Sequence, residues 1–288
     1  MKPFLILLPL SLLAFFSLKT LAQTNDLKQS LTAYATFDND NFKLLKSKGN
    51  ATIYSAPSRK AVIDSAVIAS QNPNISIAKD EGKFGSALRF NKKGKWVTFI
   101  KSQYNIDYEN KNWTGTVSFW LKLNPDTDLE PGYCDPIQIT DVAYNDASIW
   151  VDFTKDDNPR KFRLGVYGDK SHWDPENKGF ENNPEWDKRL VVVDKPPFSR
   201  SEWTHICITY SELGSTEGRS SLYVNGEKQG DISTKDPFNW DLEKSNIYLG
   251  LSYIGLFDDL AIFNKPLSAK QIKSLYSSNR SVEQFIGL

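Results

Sequence analysis

The stretch His172-Trp-Asp-Pro-Glu176, followed by Asn182-Asn-Pro-Glu-Trp-Asp-Lys-Arg189, gathers two Trp, one His, several carboxylates and an Arg within 18 residues. Sugars present apolar C–H faces and a rim of hydroxyls, so a site for them needs aromatic plates flanked by planar hydrogen-bonding groups. On that chemistry Trp173 and Trp186 are predicted to be exposed plates, with His172, Asp174, Asp187 and Arg189 as their polar partners. The same residues permit a second chemistry, a lyase with His172 or a Tyr as base and Arg189 neutralising a uronate. A packing role, in which the two Trp pin a long loop to the scaffold, stays open beside both. There is no G-x-S-x-G, no H-E-x-x-H and no glycine-rich phosphate loop. No residue is assigned a catalytic role.

The elements that must position this stretch are strands. Between Leu31 and Phe263 short alternating runs rich in Val, Ile, Thr, Phe, Tyr and Trp recur between Gly, Pro, Asn and Asp. Ser86 to Phe90, Lys95 to Ile100, Thr116 to Leu123, Ala147 to Phe153, Lys161 to Tyr167, Glu202 to Tyr210 and Ser220 to Val224 are the clear cases. In Thr116 to Leu123, Val117, Phe119, Leu121 and Leu123 face one way and Ser118, Trp120 and Lys122 the other. One side suits a core and the Trp120 side suits a groove, which adds Trp120 to the ligand candidates. Trp96, Trp150, Trp203, Trp240 and His205 read as packing residues. Asn225-Gly226 predicts a tight hairpin, because both central residues of such a turn need positive φ. Ser268-Ala-Lys-Gln271 reads as a capping box that opens one helix, with Ile272, Leu275 and Tyr276 on its apolar stripe, packed as a lid on a sheet edge. A dozen or more strands and one terminal helix predict two stacked antiparallel sheets.

Composition narrows the function classes. The chain has 288 residues, 35 basic and 35 acidic, with two Cys and two His. A near-neutral surface without a dense Lys/Arg block does not attract nucleic acid or anionic membrane. His172 and His205 alone cannot build a His-rich metal centre. Residues 1–22 read as a signal peptide: Lys2, an apolar run from Phe4 to Leu18, then Thr20-Leu-Ala22 at the cleavage positions. That run is shorter than the roughly 20 residues a spanning helix needs. The expectation is therefore export to the periplasm, cell surface or medium, with no membrane insertion after cleavage. In an oxidising compartment Cys134 and Cys207 can pair, although two thiols 73 positions apart specify no geometry. The predicted organisation is a flexible segment over 23–30, one domain over 31–278 and a tail over 279–288.

Five segments together resemble the laminin-G-like, concanavalin A-like lectin and glucanase jelly-roll family. They are Gly82-Lys-Phe-Gly-Ser-Ala-Leu-Arg-Phe90, Thr116-Val-Ser-Phe-Trp120, Trp203-Thr-His-Ile-Cys-Ile-Thr-Tyr210, Leu222-Tyr-Val-Asn-Gly226 and Gly255-Leu-Phe-Asp-Asp-Leu-Ala-Ile-Phe-Asn-Lys-Pro-Leu-Ser268. The resemblance implies an all-β sandwich of two curved antiparallel sheets, six or seven strands each, the concave one often carrying ligand. It also implies a structural calcium near where the first and last strands meet, with Asp38 and Asp258 at the corresponding positions. Its hydrolases carry two Glu with an Asp between them on one strand. The nearest match, Asp126-Thr-Asp-Leu-Glu130, lies between Pro125 and Pro131 and reads as a solvated acidic turn. The fold hosts lectins, hydrolases, lyases and adhesion modules alike. The expected function is non-catalytic recognition of a polysaccharide or other glycan. A hydrolase or lyase is the first alternative and a cell-surface adhesion or assembly module the second. The oligomeric state is not specified by the sequence.

Overall fold

The structure, a computed structural model, describes residues 24–180 and 182–288; the expected signal peptide over 1–22 and its cleavage site lie outside the described residues. Among the described residues the strands form two antiparallel sheets. The nine-stranded sheet runs β15 (Glu227–Thr234), β14 (Gly218–Val224), β13 (Thr204–Leu213), β8 (Trp113–Lys122), β17 (Gly255–Phe263), β1 (Leu31–Ala35) and β2 (Lys46–Ser47). On this sheet β6 (Ala87–Phe90) pairs with β17, and β5 (Ile75–Ala78) with β6. The eight-stranded sheet runs β12 (Leu190–Val193), β11 (Phe162–Tyr167), β10 (Ser148–Phe153), β9 (Cys134–Thr140), β16 (Asn246–Leu251), β7 (Val97–Lys101), β3 (Ile53–Ala56) and β4 (Val67–Ile68). The expected sandwich is present, with more strands per sheet than the resemblance implies, because short edge strands such as β2 and β4 extend both sheets.

The core fills the space between the sheets. Val117, Phe119, Leu121 and Leu123 face it as the alternation predicts, opposite Ile137, Ile139, Ile149, Val151, Leu164 and Ile247. The β14–β15 hairpin turns at Asn225 and Gly226, both with positive φ. The helix Ala269–Ser277 carries the predicted capping box. It lies on the outer face of the nine-stranded sheet rather than on an edge, with Ile272 and Leu275 packed against Cys207, Tyr223, Ala261 and Phe263.

Both ends of the described segment are more ordered than their composition suggests. Residues 24–30 are helical, not a flexible segment, and bury Leu27. The expected tail holds a second capped helix, Val282–Ile286, whose Val282 and Ile286 join the same apolar cluster. Residues 24–30 and the helix Val282–Ile286 have apolar surface to bury against that sheet face, and so they fold onto it. Cys134 and Cys207 are buried free thiols on different sheets. Among the described residues no helix is long and apolar enough to cross a membrane.

Candidate ligand-binding site

The outer face of the eight-stranded sheet holds the candidate site. Strand alternation sends Ile149, Val151 and Phe153 inward, and Trp150 and Asp152 outward. On β11 Leu164 and Val166 go inward, and Arg163, Gly165 and Tyr167 outward. Register then aligns Gly165, Trp150, Gln138, Tyr248, Phe99 and Tyr54 in one row across six strands. Gly165 is required there: an added Cβ would lie 2.2 Å from Cζ2 of Trp150, whose ring crosses it. One end of the row is covered by Ala61 and Val62, packed with Phe99 and Tyr248. The other end is covered by the 168–189 insertion. Between the covers a cavity of about 330 Å³ remains, within the range of small-molecule sites.

That cavity is lined by Tyr133, Tyr144, Phe180, Trp150, Trp186 and a polar floor of Asp135, Gln138, Asp152 and Arg163. Tyr133, Tyr144 and Phe180 are 38%, 42% and 38% exposed and form an aromatic rim. The floor is an ordered hydrogen-bond chain. Arg163 grips both oxygens of Asp152, Nε to Oδ1 at 2.9 Å and Nη2 to Oδ2 at 2.5 Å. Arg59 donates to Oε1 of Gln138 at 2.5 Å, and Nε2 of Gln138 donates to Oδ2 of Asp135 at 2.6 Å. Asp135 and Pro136 sit where the β9–β10 register shifts, a bulge that re-aims a side chain and admits a proline. Burial, and then the charge of Asp152, pushes the carboxyl of Asp135 up to about 8. Burial also raises Asp152, but there Arg163 works in opposition, so the proton of the pair resides on Asp135. Buried Arg160 donates to the carbonyls of Glu130, Gly132 and Thr154 and so fixes the loop that carries Tyr133.

The structure corrects the expected plates. Trp173 is 3% and Trp186 6% exposed. Both belong to an inner cluster with Trp150 and Tyr167. Nε1 of Trp173 donates to the carbonyl of Asn145 at 3.0 Å, so its polar edge as well as its faces is used internally. Trp186 lines the cavity as wall, not as an exposed plate. Asp174 is buried and accepts from the backbone of Lys178 and Gly179 and from Asn183, closing the insertion's own turn. Arg189 is buried and ion-paired with Asp236 and Glu185. His172 and Asp187 are exposed but do not line the cavity. Trp120 is 3% exposed and sits under Phe84, Tyr276 and Lys83, so its ring is covered and does not line a groove. His205 is structural as expected: Nε2 meets Ser118 Oγ at 2.9 Å, and burial pushes its ring down to about 3. Sequence reasoning missed Tyr133, Asp135, Gln138, Tyr144, Trp150, Asp152, Arg163 and Phe180. The outward alternation of Trp150, Asp152 and Arg163 was the usable signal.

Asp38 and Asp258 are brought to one turn. Asp38 Oδ1 accepts from Ser86 N at 2.8 Å and Asp258 Oδ2 from Phe84 N at 3.0 Å. Gly85 has φ +72°, and a Cβ there would lie 2.2 Å from Asp38 Oδ1. Asp258 is raised well above the usual carboxylate range by burial, then by Asp259, with Asp38 adding to it. Among the described residues no group of three or more His, Cys, Asp or Glu is arranged to hold a metal.

The fold is similar to that of domain 4 of AbnA, a GH43 extracellular arabinanase from Geobacillus stearothermophilus, solved in complex with arabinotriose. Identity is 18% and the TM-score 0.53, over 86% of this chain and 98% of that one. It is also similar to the botulinum neurotoxin serotype D binding domain (14% identity, TM-score 0.56, 89% of this chain and 52% of that one). The binding domain of Paraclostridial Mosquitocidal Protein 1 is a third (15%, TM-score 0.51, 88% and 53%). The chain spans about half the length of these last two. At such identities the likeness establishes the fold alone. No curated protein matches the sequence. Residues 100–273, more than half of the chain, match the family described as the Concanavalin A-like lectin/glucanases superfamily, and the chain belongs to that superfamily.

Proposed function

We propose that the protein is a non-catalytic saccharide-binding module whose ligand enters the cavity bounded by Tyr133, Tyr144 and Phe180. The observation that carries this reading is the pairing of three part-exposed rings with an ordered floor of planar polar groups, Gln138, Asp152 and Arg163. Rings of this kind supply apolar area at low entropic cost, and the floor fixes the orientation of hydroxyls. The similarity to a domain solved with arabinotriose supports the reading. The signal-like pattern of residues 1–22, Lys2 followed by an apolar run, supports an exported protein that meets polysaccharide outside the cytoplasm. Two neighbouring carboxyls also suit a glycoside hydrolase, which needs an acid and a nucleophile or base. Here Asp152 has both oxygens committed to Arg163, which leaves no free carboxylate beside Asp135, and binding is favoured.

The test is a panel of neutral, uronic and sulfated polysaccharides. The triple variant Tyr133→Ala/Tyr144→Ala/Phe180→Ala is expected to weaken retention about tenfold or more, with its melting temperature close to the parent's. Unchanged retention would remove the cavity from consideration. New reducing ends or unsaturated products in the parent's reaction would establish an enzyme.

We also propose Asp38 and Asp258 as carboxylates of a structural calcium. The donors fit in kind, being hard oxygens from distant segments, and the crowding of Asp38, Asp258 and Asp259 is what a divalent cation would relieve. Calcium at about a hundred times its dissociation constant is expected to add about 2.7 kcal/mol of stability. Chelation should lower the melting temperature of the parent, and Asp38→Asn, which keeps an acceptor for Ser86, should lose the response. A parent insensitive to chelator and to added calcium would leave these acids as turn anchors.

A further inference from the structure

We propose that Asp135 meets the ligand of this cavity as a carboxylic acid, donating a hydrogen bond to an acceptor oxygen of a saccharide that carries no amine. The inference rests on the cavity being the saccharide site and names the donor and the ligand class for it. Three features of the floor carry it.

The first is the hydrogen-bond chain. The Arg59 guanidinium holds Oε1 of Gln138, which turns the amide so that Nε2 donates to Oδ2 of Asp135. One oxygen of Asp135 is thereby satisfied from its own strand, and the other is left for the cavity that Asp135 lines. The second is the neighbouring acid. Asp152 on β10 opposes the bulge and has both oxygens in its pair with Arg163, and it acts on Asp135 through its charge and not through a hydrogen bond. A carboxylic O–H on the cavity-facing oxygen of Asp135 can then be satisfied by a ligand acceptor. The third concerns cations. The Arg163 guanidinium stands 5.1 Å from the Tyr133 ring and 5.6 Å from the Trp150 ring, and Arg59 stands 4.5 Å from that of Tyr248. Guanidinium already occupies the Tyr133 and Trp150 rings and the Asp152 carboxylate of this cavity, and an ammonium entering beside Arg163 and Arg59 would meet like charge.

The charged groups around Asp135 are Asp152 on β10, Arg163 on β11 and Arg59 on the turn Arg59–Ala61. Leu251, its register partner on β16, contributes no charge. The adjacent Cys134 thiol is pushed up to about 11 by burial, and burial raises the phenol of Tyr144 as well. Neither titrates near neutrality. Burial and Asp152 keep the Asp135 proton in place up to about 8, which makes the acid form the resting form at neutral pH.

The experiment compares the parent with Asp135→Asn, whose amide keeps a donor and the shape but cannot lose a proton. Retention is measured on immobilised arabinan, polygalacturonate and partly deacetylated chitosan at about pH 6 and about pH 9.5. The parent is expected to lose about tenfold or more of its affinity for arabinan or polygalacturonate over that interval, while Asp135→Asn stays within about threefold at both ends. Binding that strengthens with pH, or a preference for chitosan, would overturn the inference, because both require a carboxylate. So would an equal alkaline loss in Asp135→Asn. A melting-temperature series on the two free proteins separates this inference from the reading beneath it. A folded-state proton affinity raised above the ordinary carboxylate value of 3.8 gives stability that is present below about pH 4 and lost as pH rises through about 8. The parent should therefore lose stability across that window relative to Asp135→Asn. No such difference overturns the protonated state itself. A clear difference without retention of any polysaccharide by either protein overturns the saccharide reading and the inference built on it.

Discussion

Trp173→Ala is expected to lower the unfolding free energy by about 3–5 kcal/mol, the range for truncating a large buried aromatic side chain. The ring is 3% exposed and meets Tyr167 at 5.1 Å and Trp186 at 5.9 Å between centroids, with the Arg189 guanidinium 5.4 Å from its face. Truncation loses those contacts and leaves the carbonyl of Asn145 without its donor. The insertion over 168–189 depends on this ring, because its own secondary structure amounts to the helix Lys170–Trp173 and the turn Asp187–Arg189. The cavity wall at Trp186 and the rim at Phe180 should loosen with it, so the proposed saccharide retention is expected to fall as a consequence of unfolding. Chemical denaturation of parent and variant, with retention measured only where the variant is folded, checks this. A variant of parental stability that has lost retention would overturn the packing role and give Trp173 a part in binding.

The contrast between Trp173 and the rim explains what the sequence leaves illegible. A dense run of Trp, His and acids has the composition of a sugar site and equally that of a plug. Indole has one polar atom, and a single backbone carbonyl can satisfy it in the interior. What separates the two cases is whether a neighbouring sheet offers a face to cover, and that is a tertiary fact. The same fact hides the site on β10. Strand alternation separates Trp150 and Asp152 from Ile149 and Val151, yet every residue of that strand is buried, because both faces of the sheet are covered there. Its run then reads as core throughout. Asp135 is concealed differently: an Asp-Pro pair reads as a strand terminator, whereas here the pair is a bulge inside β9. Local signals were legible where local chemistry decides, as at Asn225-Gly226, at the capping box of Ser268, and in the inward set Val117, Phe119 and Leu121. Asp174 and Arg189 show the opposite case. Their charges are consumed by Asn183, Asp236 and backbone amides that no spacing announces.

Arg163→Leu is the second substitution with a large expected cost, about 3–5 kcal/mol near neutral pH, since it leaves Asp152 buried without its counter-charge. The guanidinium supplies both hydrogen bonds to Asp152 and lies against the rings of Tyr133 and Trp150. The double variant Asp152→Leu/Arg163→Leu should cost much less than the single one, because a buried pair replaced by apolar groups gives up its attraction together with its desolvation penalty. The sign of the pH dependence follows from the burial that already raises Asp152. With Arg163 absent nothing offsets that burial, the folded-state proton affinity rises further above the unfolded value, and stability is lost as pH rises. The single variant should therefore approach the parent on acidification and fall behind it toward neutrality, while the double variant, with no carboxylate at this position, keeps a pH profile set by Asp135. If Arg163→Leu costs less than about 1 kcal/mol at neutral pH, the pair behaves as a solvated surface ion pair. The floor of the cavity would then be wet and adaptable, without the fixed polar geometry that the proposed saccharide recognition requires.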